Sequence, residues 1–139
     1  MKPLPKTKDA LVLRTDFSDQ GAWKSICEAI REPQDEYEAF VECLDDKEFA
    51  DLTKDQLIKR LPEGYPHTFL IVVDKQAVTH PEHPILVLDV FEDPGREFRA
   101  IPSQIAPVEN NLSNGSLDFE DFAEAVDEDD EILRRSPEA

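Results

Sequence analysis

The acids Asp16, Asp74 and Asp89 and the histidines His67, His80 and His83 are the residues of this chain whose type and spacing could do chemistry. The acids lie at or near the ends of the three most apolar runs, Ala10–Thr15, Phe69–Val73 and Ile85–Phe91. If those runs are parallel strands, their carboxylates gather at the sheet edge where open α/β sheets place ligands. There they could hold Mg²⁺ or, by shifting one another's pKa, serve as an acid/base pair. The plainer reading is preferred: each Asp ends a strand and accepts backbone hydrogen bonds from the turn that follows. Arg14, in the run LRTDF, could grip a carboxylate or phosphate at the N-terminus of the next helix. A structural pairing with a nearby acid is the preferred reading there too. Arg14, Asp16, His67, Asp74 and Asp89 are therefore the candidate set for a strand-end pocket, with no catalytic role assigned to any of them.

All three histidines flank one strand-to-strand connection. His80, Glu82 and His83 could offer ligands to Zn²⁺, and His67 could complete an open three-ligand site if the loop folds back. Pro81 and Pro84 make that connection stiff, which favours imidazoles that pack rather than ligate, and neither a metal nor a cofactor is expected. Glu109-Asn110-Asn111 with Ser103 could line a polar pocket, although Asn also belongs naturally near helix C-termini. There is no GxGxxG, no Gly-Lys-Ser/Thr phosphate loop, no Gly-x-Ser-x-Gly elbow, no CxxC and no HExxH. With four glycines in the whole chain, a Gly-rich phosphate cradle is nearly excluded.

Positioning these residues requires a sheet, and Thr68–Ile101 is the stretch that builds it. Phe69–Val73 and Ile85–Phe91 are nearly continuous apolar runs, which predicts core strands covered on both faces. Upstream, a strand at 10–15 feeds a helix at 19–31 with Ser18 as its cap. Trp23, Ile26, Cys27 and Ile30 form one face of that helix, so the pair is the front half of a βαβ unit. Residues 36–44 fit strand and helix alternation equally; the strand reading completes the unit. Thr53-Lys54-Asp55-Gln56 is a capping box that opens a helix stopped by Pro62. The turn Asp93-Pro94-Gly95 predicts that Arg96–Ile101 returns antiparallel as an edge strand. A following helix is placed from Pro107, because proline suits a helix start, and Asp118 caps the last one.

The expectation is an α/β domain, with α+β as the variant, built on a central mixed sheet of about 4–5 strands (10–15, 36–44, 68–74, 85–91, 96–101). Helices at 19–31, 54–61, 107–112 and 118–126 cover it. Residues 1–8 read as a flexible lead, 9–126 as one globular domain and 127–139 as an acidic solvated tail.

A chain of 139 residues that is 40% hydrophobic suits one domain with one real core. Thirty-two acidic residues against 15 basic ones give a net charge of −17. That field repels phosphate backbones, so nucleic acid is not an expected partner; it would steer a basic protein inward or, on the plainer and preferred reading, simply keep the protein soluble. Cys27 and Cys43 fall on apolar faces, which favours buried free thiols over a disulfide. No run approaches the roughly 18 apolar residues of a membrane span, and the N-terminus lacks the apolar core of a signal peptide. A cytoplasmic protein is expected.

The blocks LVLRTDFSDQGAW, YPHTFLIVVD, HPEHPILVLDV, PGREFRAIPS and VENNLSNGSLDFEDFA, in this order, resemble an uncharacterised family of small acidic proteins from bacteria and fungi. The resemblance runs from about Ala10 to Val126. It implies a single domain and transfers no catalytic residue. Three functions are weighed. The first is a non-catalytic binding protein, inhibitor- or immunity-like, for a basic partner. The second is a small enzyme or ligand-binding protein using the strand-end pocket. The third is a subunit that dimerises through the edge strand Arg96–Ile101.

Overall fold

The computed structural model describes residues 1–137. In chain order the elements are β1 (Ala10–Arg14), α1 (Gln20–Arg31), β2 (Val41–Leu44), a 3₁₀ turn at Lys47–Phe49, α2 (Lys54–Lys59), β3 (Phe69–Val73) and α3 (Lys75–Thr79). Then come β4 (Ile85–Asp89), β5 (Glu97–Ala100), α4 (Pro102–Asn114), α5 (Phe119–Ala123) and β6 (Ile132–Leu133). The six strands form one mixed sheet in the order β2-β1-β3-β4-β5-β6. β1 pairs in parallel with both β2 and β3, while β4 runs antiparallel to β3 and to β5. The fold is α/β, as the apolar runs and the strand–helix–strand start imply, with one strand more than expected.

Alternation along the strands divides the interior into two cores. Val12, Phe69, Ile71, Val73, Ile85, Val87 and Phe98 face one side, where α1, α3, α4 and α5 cover them. Leu11, Leu13, Leu70, Val72, Leu86 and Leu88 face the other, under Phe49, Leu57 of α2 and Leu4. Every residue of β1, β3 and β4 is buried, which is why these strands read as unbroken apolar runs rather than as half-wet alternation.

Local chemistry sets the helix starts. Thr53 and Gln56 make both halves of the capping box that opens α2. At α5 the Asp121 carboxylate accepts the Asp118 N–H at 2.8 Å, and the Asp121 N–H donates to the Asp118 carbonyl. α1 is capped by Asp19, which accepts from the Ala22 N–H, and not by Ser18, whose hydroxyl turns back to Asp16. Of residues 36–44 only Val41–Leu44 form strand; Gln34 and Tyr37 close a tight turn before it.

Four expectations are corrected. The helix placed at 107–112 begins at Pro102, so Pro107 lies inside α4. The first-turn proline is Pro102, and the Asn111 amide donates to the Pro107 carbonyl at 2.9 Å. The lead 1–8 is not loose: Leu4 is buried beneath α2 and its N–H donates to the Arg60 carbonyl at 2.8 Å. Strand 85–91 ends at Asp89, which leaves Phe91 outside the core.

The fourth concerns the acidic segment, read as a solvated tail over 127–139; residues 138 and 139 lie outside the described residues. Ile132 and Leu133 are buried, and β6 pairs in parallel with β5 at Arg99↔Ile132 and Ala100↔Leu133. β5 is therefore not an edge strand along those residues, and self-pairing there is blocked by the chain's own end. Arg134 holds the return in place by bonding Asp127, Asp130 and Glu82. Leu133→Ala should lower stability by about 2–3 kcal/mol, as expected for a buried leucine. Urea titration of the two proteins reads this directly; a solvated tail would give no change.

Candidate functional site

Strand direction decides which candidates meet. β1, β2 and β3 end at one edge of the sheet, here the upper edge, and antiparallel β4 ends at the lower one. Asp16 and Asp74 are thus upper, whereas Asp89 is lower. His67, which enters β3, is also lower, while His80 and His83, which lead into β4, are upper. The five-residue strand-end set does not converge, because the condition for it, parallel strands throughout, fails at β4.

At the upper edge, β1 leads to β2 on one side and is flanked by β3 on the other, the position at which open α/β sheets leave a crevice. A hollow of about 210 Å³ lies there, lined by Thr15, Asp16, Asp51, Leu52, Asp74 and Lys75. Two of its three carboxylates, those of Asp16 and Asp74, are engaged by the protein itself. Asp16 accepts from the Ser18 hydroxyl and N–H. Asp74 caps α3 through the Ala77 N–H at 3.1 Å and takes a two-pronged bond from Arg99 at 2.7 and 2.9 Å. Asp51, which sequence reasoning did not select, sits at φ 60 and donates its N–H to the Thr15 carbonyl at 2.7 Å. Among the described residues no three His, Cys, Asp or Glu are placed to hold a metal ion.

Arg14 is buried behind this crevice rather than open to it. Its Nε donates to the Asp16 carbonyl at 3.0 Å, and its Nη1 donates to Gln20 at 2.7 Å and to Asp45 at 3.3 Å. The guanidinium also lies 4.3 Å from the centre of the Phe17 ring and 5.5 Å from that of Trp23. The structural pairing is the one adopted, with Asp45 as the acid.

The histidines serve the backbone. His67 Nε2 is 2.8 Å from the Thr7 carbonyl, tying the N-terminal segment to the start of β3. His80 Nδ1 accepts from the Glu82 N–H at 3.0 Å. His83 Nδ1 lies 2.8 Å from the Ala77 carbonyl, with its backbone at φ 51. Glu82 is gripped by Arg134, whose guanidinium holds the carboxyl below the usual range. The amide candidates are clamps as well. Buried Glu109 accepts the Phe40 N–H at 2.8 Å and the Ser113 hydroxyl at 2.7 Å, and Asn110 donates to the Glu38 carbonyl at 2.8 Å. These bonds fasten the entry of β2 onto α4.

At the lower edge Asp89 does what the plainer reading expects of a strand-end acid, and the exposed Phe91 beside it is what sequence reasoning missed. Asp89 is 2% exposed and its carboxylate organises the whole β4–β5 turn. It accepts the N–H groups of Phe91, Glu92 and Asp93 at 2.9, 3.1 and 3.1 Å, and the Arg96 guanidinium at 3.0 Å. The turn so built pushes Phe91 outward until 69% of it is exposed. Beside it lies a shallow, largely apolar hollow of about 180 Å³, lined by Thr68, Phe91, Leu112, Leu117 and Phe119 among others. Exposed Glu92 and Asp93 flank Phe91, and the start of α5 adds exposed Asp118, Glu120 and Asp121. The apolar Val90-Phe91 pair prolongs the run in the sequence and so hides that the strand stops at Asp89.

A family model, Domain of unknown function (DUF6924), matches residues 9–136, nearly the whole chain. No curated protein matches it. Among the described residues no helix is long and apolar enough to cross a membrane.

Proposed function

This chain belongs to the DUF6924 family, and from that premise we propose a small acidic, non-catalytic binding protein, inhibitor- or immunity-like, for a basic protein partner. The observation that carries the reading is Phe91, a large aromatic held out into solvent beside an apolar hollow and ringed by acids. An aromatic anchor within a charged rim is the anatomy of an interface hot spot. The net charge of −17 speeds the encounter with a basic surface, and the rim acids set its register. The partner is a Lys/Arg-rich surface carrying an apolar side chain that seats against Phe91. The upper crevice supports catalysis less well, since Asp16, Asp74 and Arg14 are already engaged within the protein. The free thiols Cys27 and Cys43 suit a reducing compartment, which favours the cytoplasm.

A short peptide of alternating lysine and leucine is the probe. Titrated into isotope-labelled protein, it should move amide resonances chiefly in residues 89–95 and 112–121. Phe91→Ser should weaken binding about 30-fold, the effect of losing a hot-spot aromatic. Raising the salt should weaken it further. Shifts centred on Thr15, Asp16 and Asp51 instead, or an affinity indifferent to Phe91→Ser, would reject the proposal.

A further inference from the structure

Away from both sheet edges, two nucleophilic side chains meet. Helical spacing puts Cys27 on the buried stripe of α1 with Trp23, Ile26 and Ile30. The parallel register of β2 on β1, Val12↔Cys43, puts Cys43 on the face that α1 covers. Both thiols are free, and Cys43 packs against the buried cluster to which Cys27 belongs. They differ in access: Cys27 is buried, whereas Cys43 is half-buried on the outermost strand of the sheet. Arg31, one turn beyond Cys27 on α1, brings a positive charge to the pair. A half-buried thiol backed by a buried second thiol is the arrangement of an attacking and a resolving cysteine.

We propose that Cys43 and Cys27 form a redox-active dithiol, in which Cys43 is oxidised by a hydroperoxide and Cys27 resolves it to a disulfide joining β2 to α1. In the first step the Cys43 thiolate attacks one peroxide oxygen. An S–O bond forms, the O–O bond breaks, and hydroxide leaves to take a proton from solvent. The peroxide gains two electrons and Cys43 becomes a sulfenic acid. In the second step the Cys27 sulfur attacks the Cys43 sulfur. The S–S bond forms, the S–O bond breaks, and the departing oxygen leaves as water with the Cys27 proton. A small thiol reverses the reaction by exchange.

The thiol environments agree with these roles. The neighbouring Cys27 thiol holds the Cys43 thiol below its ordinary pKa, and Arg31 adds to the effect against the opposing influences of burial and Glu42. Cys43 in turn, with burial and Asp45, pushes the Cys27 thiol up.

The test is to treat the reduced full-length chain with equimolar hydrogen peroxide. The expected product has lost two hydrogens in mass, shows no free thiol, and yields one cross-linked peptide joining Cys27 to Cys43. Its Tm should rise by roughly 10 °C, because the closed loop restrains the unfolded chain, and dithiothreitol should reverse the shift. In Cys27→Ser the reaction should stop at a Cys43 sulfenic acid trapped by dimedone, and in Cys43→Ser Cys27 should remain reduced. If either variant fails to fold, iodoacetamide on the native chain decides, with Cys43 expected to react at least about tenfold faster than Cys27. Equal rates, oxidation beginning at Cys27, or disulfides formed only between chains would overturn the proposal.

Discussion

Asp89→Ala is expected to destabilise the protein by about 3–5 kcal/mol, the range for removing one partner from a buried charge pair. The carboxylate is 2% exposed and receives three backbone N–H groups and the Arg96 guanidinium. Alanine leaves all four donors without their acceptor at once, next to β4, where Phe69↔Asp89 closes the ladder with β3. Asp89→Asn separates charge from shape. One oxygen still serves Phe91 and Glu92, but the amide group then presents donors to the Asp93 N–H and Arg96, so asparagine should recover less than half of the loss. Guanidinium titration gives both values, and hydrogen exchange at residues 91–95 reports whether the turn itself has loosened. A loss below about 1 kcal/mol for alanine would mean that this acid is not the organiser of the turn.

Arg14→Ala carries the second large effect, again about 3–5 kcal/mol. The side chain is almost fully buried, donates to the Asp16 carbonyl, Gln20 and Asp45, and lies over the Phe17 and Trp23 rings. Truncation opens a cavity between β1 and α1 and orphans the acceptors around it. Arg14→Lys keeps the charge but neither the fork nor the flat ring contact, and should still cost roughly half as much. The pair of variants distinguishes a structural arginine from a ligand-binding one. A binding arginine would tolerate removal with stability unchanged or improved, as functional groups often do. Thermal and urea midpoints of the two variants against the parent protein are sufficient.

Much of the fold was legible because it rests on signals a few residues long. The capping box at Thr53 and the helix start at Asp118 are each met by a group three residues away, so no distant contact is needed to recognise them. The stripe of α1 and the buried runs of β1 and β3 follow from helical and strand periods alone. Where two local signals compete, the reading fails. A proline marks a helix start because it lacks a donor, yet α4 carries Pro107 inside once Pro102 has fixed the first turn. Ile132-Leu133, set among acids, is too short to mark a strand, and it becomes one by docking on β5 while Arg134 gathers the surrounding carboxylates.

What the amino-acid order determined unaided is therefore the class of the fold, its two apolar spines and the starts of α2 and α5. What only the tertiary structure decided is which polar residues are neighbours. His67 and Asp89 were grouped with Asp16 and Asp74, and the antiparallel run of β4 sends them to the opposite edge. The physical reason is that side-chain period says which face a residue occupies but not which way its strand points. Direction is set by pairing energies and connections shared across the whole sheet. The same reversal leaves Phe91 exposed at the lower edge among acids, where the sequence read only the end of a core strand.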